Sequence, residues 1–569
     1  MKRRDFVKSL GLAGVATPLT SSFAGAQQIG DVIRPDDPSF EGRAHRAVWG
    51  KNGVVASADE QASLAGIRIM MKGGNAIDAI VATAAALNVA EPYMSGMGGF
   101  GGYMMLYSAK EKKVLALDMM GLSPAGDRID KMTEADFDEG YKSPVVPGNI
   151  GGWAEALRKY GTMSLGDVFE PAIELAEGNF VATHYDAQSF KASATKLAKY
   201  PTTAQIFMPD GAPPREGQVV RQPQLAASFR KIAKEGVDVF YKGEIAEKIA
   251  GFLQRNGGWM TEQDLAAWTP RWREPIATTF QGYTVYGMPP GSCEMTMFQI
   301  LNVMEEIGFK GLDYFSTEFA HHWIETVKLA FVDDDRYNTG KDADIPVAKL
   351  ISKAYAREQR EKIRRDRPTA RLLPRLGTEG TTSMAAADRF GNVVAFTQSL
   401  VSGFGCGVVA ADTGILLNNG HRYGFVLDPK HVNALVPRQH PKGVMCPTIV
   451  MKGDKVLMGI GASGGYTIPQ TVGQAIAKVL AYNMDVQQAI ASPRVLLNRG
   501  QGAVPVGSDV QVYLDMGFPE RVGTGLRALG HQLAKPGNSG AVQGVYVHPE
   551  TGTLSGGSDP RRDGHAIAW

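Results

Sequence analysis

The chain of 569 residues is 44% hydrophobic and 21% charged, with a formal net charge of +2; these globular proportions exclude wholesale disorder. Glycine accounts for 67 residues, about 12% against a usual ~7%. No Gly-X-Y period accompanies it, so collagen is excluded and the excess points to tight turns and close backbone approaches.

In chain order, Lys2-Arg3-Arg4-Asp5-Phe6-Val7-Lys8 precedes a weakly apolar stretch, Leu10–Leu19, and then Ala24-Gly25-Ala26. This pattern predicts a twin-arginine export signal over residues 1–26 and a periplasmic or secreted protein. The segment holds four basic residues and Asp5, a net +3, so the remaining chain carries −1 and has no basic excess for nucleic acid. The most apolar run, Ala76–Ala90, is too short for a membrane span and contains Asp78. Three dispersed cysteines, Cys293, Cys406 and Cys446, form no disulfide framework and at most one bond.

Residues 62–71 and 75–89 read as helices, the second apolar nearly all round and therefore buried. Gly96-Met-Gly-Gly-Phe-Gly-Gly102 formally fits a dinucleotide fingerprint, but a helix precedes it and a strand follows, so it reads as a tight crossing beside a cleft. Strands are expected at 103–107 and 114–119. From 145 to 342 the spacing is mostly helical, at 165–177, 225–234, 244–256, 296–308 and 317–334. Asp333, Asp334, Asp335, Asn338, Asp342 and Asp344 lack the order of a calcium loop and read as a solvated helix end.

The arginine-rich stretch 364–380 reads as an exposed connector. Beyond it, 382–387 and 393–400 predict a hairpin with alternating faces. Strands at 449–451, 456–460 and 542–548 and a helix at 468–482 follow. Helices flank strand pairs without a βαβ alternation, which indicates an α+β layered sandwich.

Two acyl-transfer constellations stand out. Gly461-Ala462-Ser463-Gly464-Gly465 has the form of a nucleophile elbow after a strand, with Asp515, His531, Asp559 and His565 as the later acids and histidines. Few residues remain there for the rest of a hydrolase sheet. In Gly380-Thr381-Thr382 a connector meets a hairpin. Cleavage after Gly380 would give Thr381 an α-amino group of pKa about 7.7–8.0, so that one residue supplies both nucleophile and base.

Several stretches together resemble the gamma-glutamyltransferase family of N-terminal-nucleophile (Ntn) hydrolases over residues 50 to 569. They are Lys72-Gly-Gly-Asn-Ala-Ile-Asp-Ala79, Gly96 to Gly102, Val146-Pro-Gly148, Met288-Pro-Pro-Gly-Ser292 and Thr381-Thr-Ser-Met-Ala-Ala-Ala-Asp388. Gly391-Asn392, Gly414 to Asn419, Met445-Cys-Pro-Thr-Ile-Val450, Gly464-Gly465 and Ser558-Asp-Pro-Arg561 continue the series. The resemblance implies a four-layer αββα sandwich, cut into a large chain (27–380) and a small chain (381–569) that stay associated as a heterodimer. It implies Thr381 as nucleophile, autocleavage between Gly380 and Thr381, a Ser399 hydroxyl assisting it, and Gly464 and Gly465 as the oxyanion hole. No metal or organic cofactor is required, and no His/Cys cluster has metal-ligand spacing.

The departures concern specificity. Where the family holds the amino-acid head group of a gamma-glutamyl substrate, this chain has Met120, Val401, Gly420, Tyr423, Gly443 and Val444. Methionine cannot replace an arginine that pairs with a carboxylate. The expected substrate is therefore a small-molecule amide other than a gamma-glutamyl compound, with water, or an amine, as acyl acceptor. His421, Arg422, Arg438, His440 and Lys442 are candidate cationic contacts. A genuine gamma-glutamyl enzyme acting on glutathione-like compounds, and a non-catalytic binding protein on the same scaffold, are the alternatives.

Overall fold

Along each central strand successive side chains point to opposite faces, and here both faces are covered. The computed structural model describes residues 46–341, 343–369, 380–498, 511–534 and 540–569. The leader at 1–26, Asp342 and connector residues 370–379 lie outside them.

One sheet has the order His565–Ala568, Gly53–Ser57, Gly380–Asp388, Val393–Val401, Gly101–Ser108, Lys113–Asp118, Arg271–Arg273. The other runs Val48–Gly50, Leu554–Ser558, Ala541–Val547, Lys455–Ser463, Thr448–Lys452, Tyr283–Gly287, Ile276–Phe280. All pairs in both are antiparallel.

Alternation along these strands defines the layers. Met104, Ala386 and Val394 pack on helices Glu60–Met71 and Ala76–Ala90. Their neighbours Met105, Ala385 and Ala395 turn to the other sheet and meet Ile449, Met451 and Val545. On the far side Val450, Ile460 and Val542 pack on helices Glu294–Ile307, Thr317–Tyr337 and Ile468–Ala481. The result is the expected αββα sandwich.

Helix Ala76–Ala90 is buried at every position, as its all-round apolar pattern requires. Its start explains the Asn75-Ala-Ile-Asp78 motif. Asn75 and Asp78 form a capping box, a device that contributes about 1 kcal/mol. Asp388, from the strand of Thr381, accepts the Ala76 N–H at 2.8 Å, so the helix is tied to that hairpin.

The hairpin has the expected alternating faces, and every residue of Gly380–Asp388 and Val393–Val401 is buried because both faces are covered. The stretch 145–342 is mostly helical, as expected, and also contains three strands, Arg271–Arg273, Ile276–Phe280 and Tyr283–Gly287. One expectation is corrected. Asp333 and Asp334 are not a solvated helix end. Asp333 accepts from Gln299 and Tyr355, each at 2.8 Å, while Asp334 binds Thr296, Asn338 and Lys442.

Cys293 and Cys446 meet as buried thiols with sulfurs 2.9 Å apart. Among the described residues no helix is long and apolar enough to cross a membrane, and no acidic, histidine and cysteine cluster could hold a metal.

Candidate active site

The register of the central hairpin sets Thr381 opposite Ser399, with a slip between Gly380 and Thr381 of the kind that re-aims a backbone. Thr381 Oγ1 lies 2.9 Å from Ser399 Oγ. Ser399 Oγ donates to the Gly380 carbonyl oxygen at 2.6 Å and accepts the Val401 N–H at 2.8 Å. With its own proton committed to Gly380, Ser399 can only accept from the Thr381 hydroxyl. One side chain thus touches both the hydroxyl and the carbonyl of the Gly380–Thr381 junction, and all four residues are buried.

The local backbone is constrained around this contact. A Cβ on Gly380 would sit 2.3 Å from the Ser402 carbonyl oxygen, so no other residue fits before Thr381. Val401 adopts φ 88°, a conformation costly for a β-branched side chain.

The second sheet supplies the facing wall. Strand Lys455–Ser463 ends in Gly464 and Gly465, at φ 133° and 58°. A Cβ on Gly464 would lie 2.4 Å from Thr467 Oγ1 and 2.8 Å from Gly540 Cα. Gly540 is itself seated by Arg494, which donates to its carbonyl at 3.4 Å and pairs with buried Asp559. Burial would raise the Asp559 carboxyl, but Arg494 and Arg561 hold it down at about 2. The Ser558-Asp-Pro-Arg561 motif thereby braces the glycine turn.

Gly465, Thr381 and Ser399 line a cavity of about 10 Å³ with Phe100, Val401, Tyr423, Lys442, Val444 and Met445, room for about one water. A larger cleft of about 440 Å³ opens beside Glu155, Tyr241 and Trp268, but its walls hold no counterpart of the Thr381–Ser399 pair. Behind the nucleophile candidate, Thr382 Oγ1 donates to Glu91 Oε2 at 2.6 Å. Burial raises Glu91 to about 7 against the nearby Arg562 charge, and burial raises neighbouring Asp59 to about 8.

Of the pocket residues expected from sequence, Val401, Tyr423 and Val444 reach this cavity. Five do not line it. Met120 is buried, its carbonyl accepting from Trp268 Nε1 at 2.9 Å. Gly420 donates its N–H to Asn418 Oδ1 at 2.9 Å, and Gly443 donates its N–H to the Gly291 carbonyl at 2.6 Å. His421 is enclosed between the Ser143 carbonyl and Asp127, at 2.7 and 2.6 Å. Arg422 pairs with Asp138. His440 lies 2.9 Å from the Gly121 carbonyl and Arg438 is exposed. Of the five cationic candidates, Lys442 alone lines the cavity.

Sequence reasoning missed Phe100, Met445 and Glu91 as site residues. The first two sit inside the glycine-run and Met-Cys-Pro motifs, which was the available signal; Glu91 follows the buried helix with no pattern of its own. The nucleophile elbow does not assemble. Ser463 is buried at the end of its strand, 3.5 Å from the Ala541 carbonyl. Asp515 pairs with Arg561, Asp559 with Arg494, and His531 with His321, while His565 is in an edge strand against Ser57.

Comparison with known proteins bears on this arrangement. The family model for gamma-glutamyltranspeptidase matches residues 62–569. The chain is 36% identical over 530 residues to the glutathione hydrolase-like YwrD proenzyme of Bacillus subtilis (strain 168), covering 92% of this chain and 99% of that one. It is 34% identical to the acylase ACY 1 proenzyme of Pseudomonas sp. (strain SE83), covering 91% and 94%. The crystal structure of cephalosporin acylase from Bacillus halodurans superposes with a TM-score of 0.82 at 33% identity, covering 94% of this chain and 99% of that one.

Proposed function

Because the chain belongs to the gamma-glutamyltranspeptidase family and has the fold and the hydrolase or acylase character of its Ntn type, we propose that it is an autoprocessing amidohydrolase with Thr381 as nucleophile, acting on an amide other than a gamma-glutamyl compound. The observation that carries this reading is the single hydroxyl of Ser399 joining Thr381 Oγ1 to the Gly380 carbonyl oxygen.

Processing begins as Thr381 Oγ1 attacks the Gly380 carbonyl carbon. Ser399 polarises that carbonyl through its hydrogen bond and orients the attacking hydroxyl. The hydroxyl proton passes to the Thr381 nitrogen as the C–N bond breaks, Gly380 is left as an ester on Thr381, and water hydrolyses the ester to free the Gly380 carboxylate. Residues up to 380 become the large chain and residues from 381 the small one, held together by the two sheets they share.

The freed α-amine of Thr381, of ordinary pKa about 7.7–8.0, then takes the proton of its own hydroxyl as the oxygen attacks a substrate amide. The Gly464-Gly465 turn presents backbone N–H groups to the oxyanion that develops; losing one such donor typically costs about 3–4 kcal/mol. The amine leaves, and water releases the acid from the acyl-enzyme.

The pocket walls support a substrate other than a gamma-glutamyl amide. Among the residues lining the cavity Lys442 is the one charged side chain and no carboxylate is present, so the ammonium of a zwitterionic head group would be desolvated without compensation. We also propose that the leader at 1–26 exports the protein through a twin-arginine route. Denaturing gels test the core of the reading: wild type gives two fragments, Thr381→Ala gives one, and an unprocessed wild type that still cleaves amides would overturn it.

A further inference from the structure

Two segments from distant parts of the chain run side by side next to the Thr381 cavity. Residues 291–293 end the loop before helix Glu294–Ile307, and residues 443–446 lead towards strand Thr448–Lys452. Two backbone hydrogen bonds hold them in register. The Gly443 N–H donates to the Gly291 carbonyl at 2.6 Å, and the Cys293 N–H donates to the Met445 carbonyl at 3.2 Å. Asn338 steadies the first segment, accepting the Gly291 N–H at 2.9 Å and donating to the Ser292 carbonyl at 2.6 Å. This ladder brings the Cys293 and Cys446 thiols into contact. Both belong to the core on the outer side of the second sheet, whereas Cys406 is buried in the layer beyond the first sheet and does not compete.

The two cysteines fall on opposite sides of the proposed cleavage point, Cys293 before residue 380 and Cys446 after residue 381. Once the Gly380–Thr381 peptide is cut, packing alone would hold the two chains together. Unfolding would then also be dissociation, which dilution favours. A covalent link keeps the partners at an effective concentration of about millimolar and so restores what processing removes. It also pins one wall of the site, because Val444 and Met445 line the Thr381 cavity.

We propose that Cys293 and Cys446 form a disulfide that joins the large chain to the small one. Its role as a link between chains rests on the processing reading; the bond itself does not. The oxidant is a disulfide RSSR, either glutathione disulfide or the disulfide of a thiol oxidoreductase. One cysteine thiolate attacks it and releases RS⁻, and the other attacks the mixed disulfide and releases the second. Two thiols thereby become one S–S bond, and RSSR becomes two RSH. Burial pushes both thiols above their ordinary pKa and leaves the residues 2% and 0% exposed. The exchange therefore takes place while these segments are open, and the closed fold then shields the bond from reductants.

The test uses full-length wild type, Cys293→Ala, Cys446→Ala and, as control, Cys406→Ala. Each is incubated with glutathione disulfide in a urea series up to its unfolding midpoint, alkylated, and run on denaturing gels with and without dithiothreitol. Wild type and Cys406→Ala migrate as one species without dithiothreitol and as two fragments with it, whereas Cys293→Ala and Cys446→Ala give two fragments in both lanes. Two fragments from wild type without dithiothreitol would overturn the proposal. Peptide mass spectrometry of wild type separates it from the processing reading: the Cys293 and Cys446 peptides are found joined, lighter than the reduced pair by two hydrogens. An uncleaved chain with that joined peptide would refute only the processing, and a cleaved chain with both thiols alkylated would refute only the disulfide. Dithiothreitol should release the fragments of linked wild type about tenfold or more faster in urea than in its absence; equal rates would contradict a bond sealed in the core.

Discussion

Replacing Ser399 by alanine removes three contacts at once. The Gly380 carbonyl loses a donor at 2.6 Å, Thr381 Oγ1 loses its acceptor at 2.9 Å, and the Val401 N–H loses its acceptor at 2.8 Å. The first bond sits on the atom that becomes negative during self-cleavage, and deleting such a donor slows acyl transfer by about 10²–10³. The third leaves a buried N–H unsatisfied, a stability cost of about 1–3 kcal/mol at a residue already strained by its positive φ. Ser399→Ala should therefore fold with a lowered Tm and process at least a hundredfold more slowly, whereas Ser399→Thr, which keeps the hydroxyl, should stay within about tenfold of wild type. The assay follows precursor conversion on denaturing gels from a synchronised start, with circular dichroism confirming the fold of each variant. Processing of folded Ser399→Ala at the wild-type rate would refute the assignment of this hydroxyl to the scissile carbonyl.

Two further outcomes follow from the surroundings of the site. Gly464→Ala should lower stability by about 2 kcal/mol or more and abolish turnover, since its Cβ meets Thr467 and Gly540 within 2.8 Å at φ 133°; a variant with wild-type Tm and activity would show that the turn tolerates a side chain. Glu91 and Asp59 have folded pKa values raised by burial to about 7 and about 8, above 4.5 and 3.8. Their contribution to stability is therefore full below those lower values and is lost as pH rises through the folded ones. Urea midpoints of wild type and Glu91→Gln between pH 5 and 8 should converge at low pH and separate in favour of the variant at high pH; parallel curves would contradict this.

The layers were legible because strand and helix periods dominate a large core. The Ala76–Ala90 helix announced its burial by having no polar face, and the strands around 449, 456 and 542 by short β-branched runs. The hairpin Ile276–Phe280 and Tyr283–Gly287 was not, because Gln281-Gly282 is a two-residue turn inside a stretch judged by helical spacing. Around the site, Thr381 stood in the Thr381–Asp388 motif and Ser399 came from the family resemblance alone, and the register brings them together. Specificity was harder to read: Met120 and Gly443 occupy family head-group positions in sequence, yet backbone contacts to Trp268 and Gly291 take them into the scaffold. Lys442 stood in sequence among five equivalent cations, and only the fold distinguishes it, by setting Asp334 from a distant helix beside it.

N-terminal sequencing of the smaller fragment from purified wild type bears on the Thr381 mechanism with the fewest intermediate steps. A fragment that begins Thr-Thr-Ser-Met establishes that the free α-amine is generated at residue 381. A fragment that begins at any other residue, or a fully active chain that yields none, would contradict it.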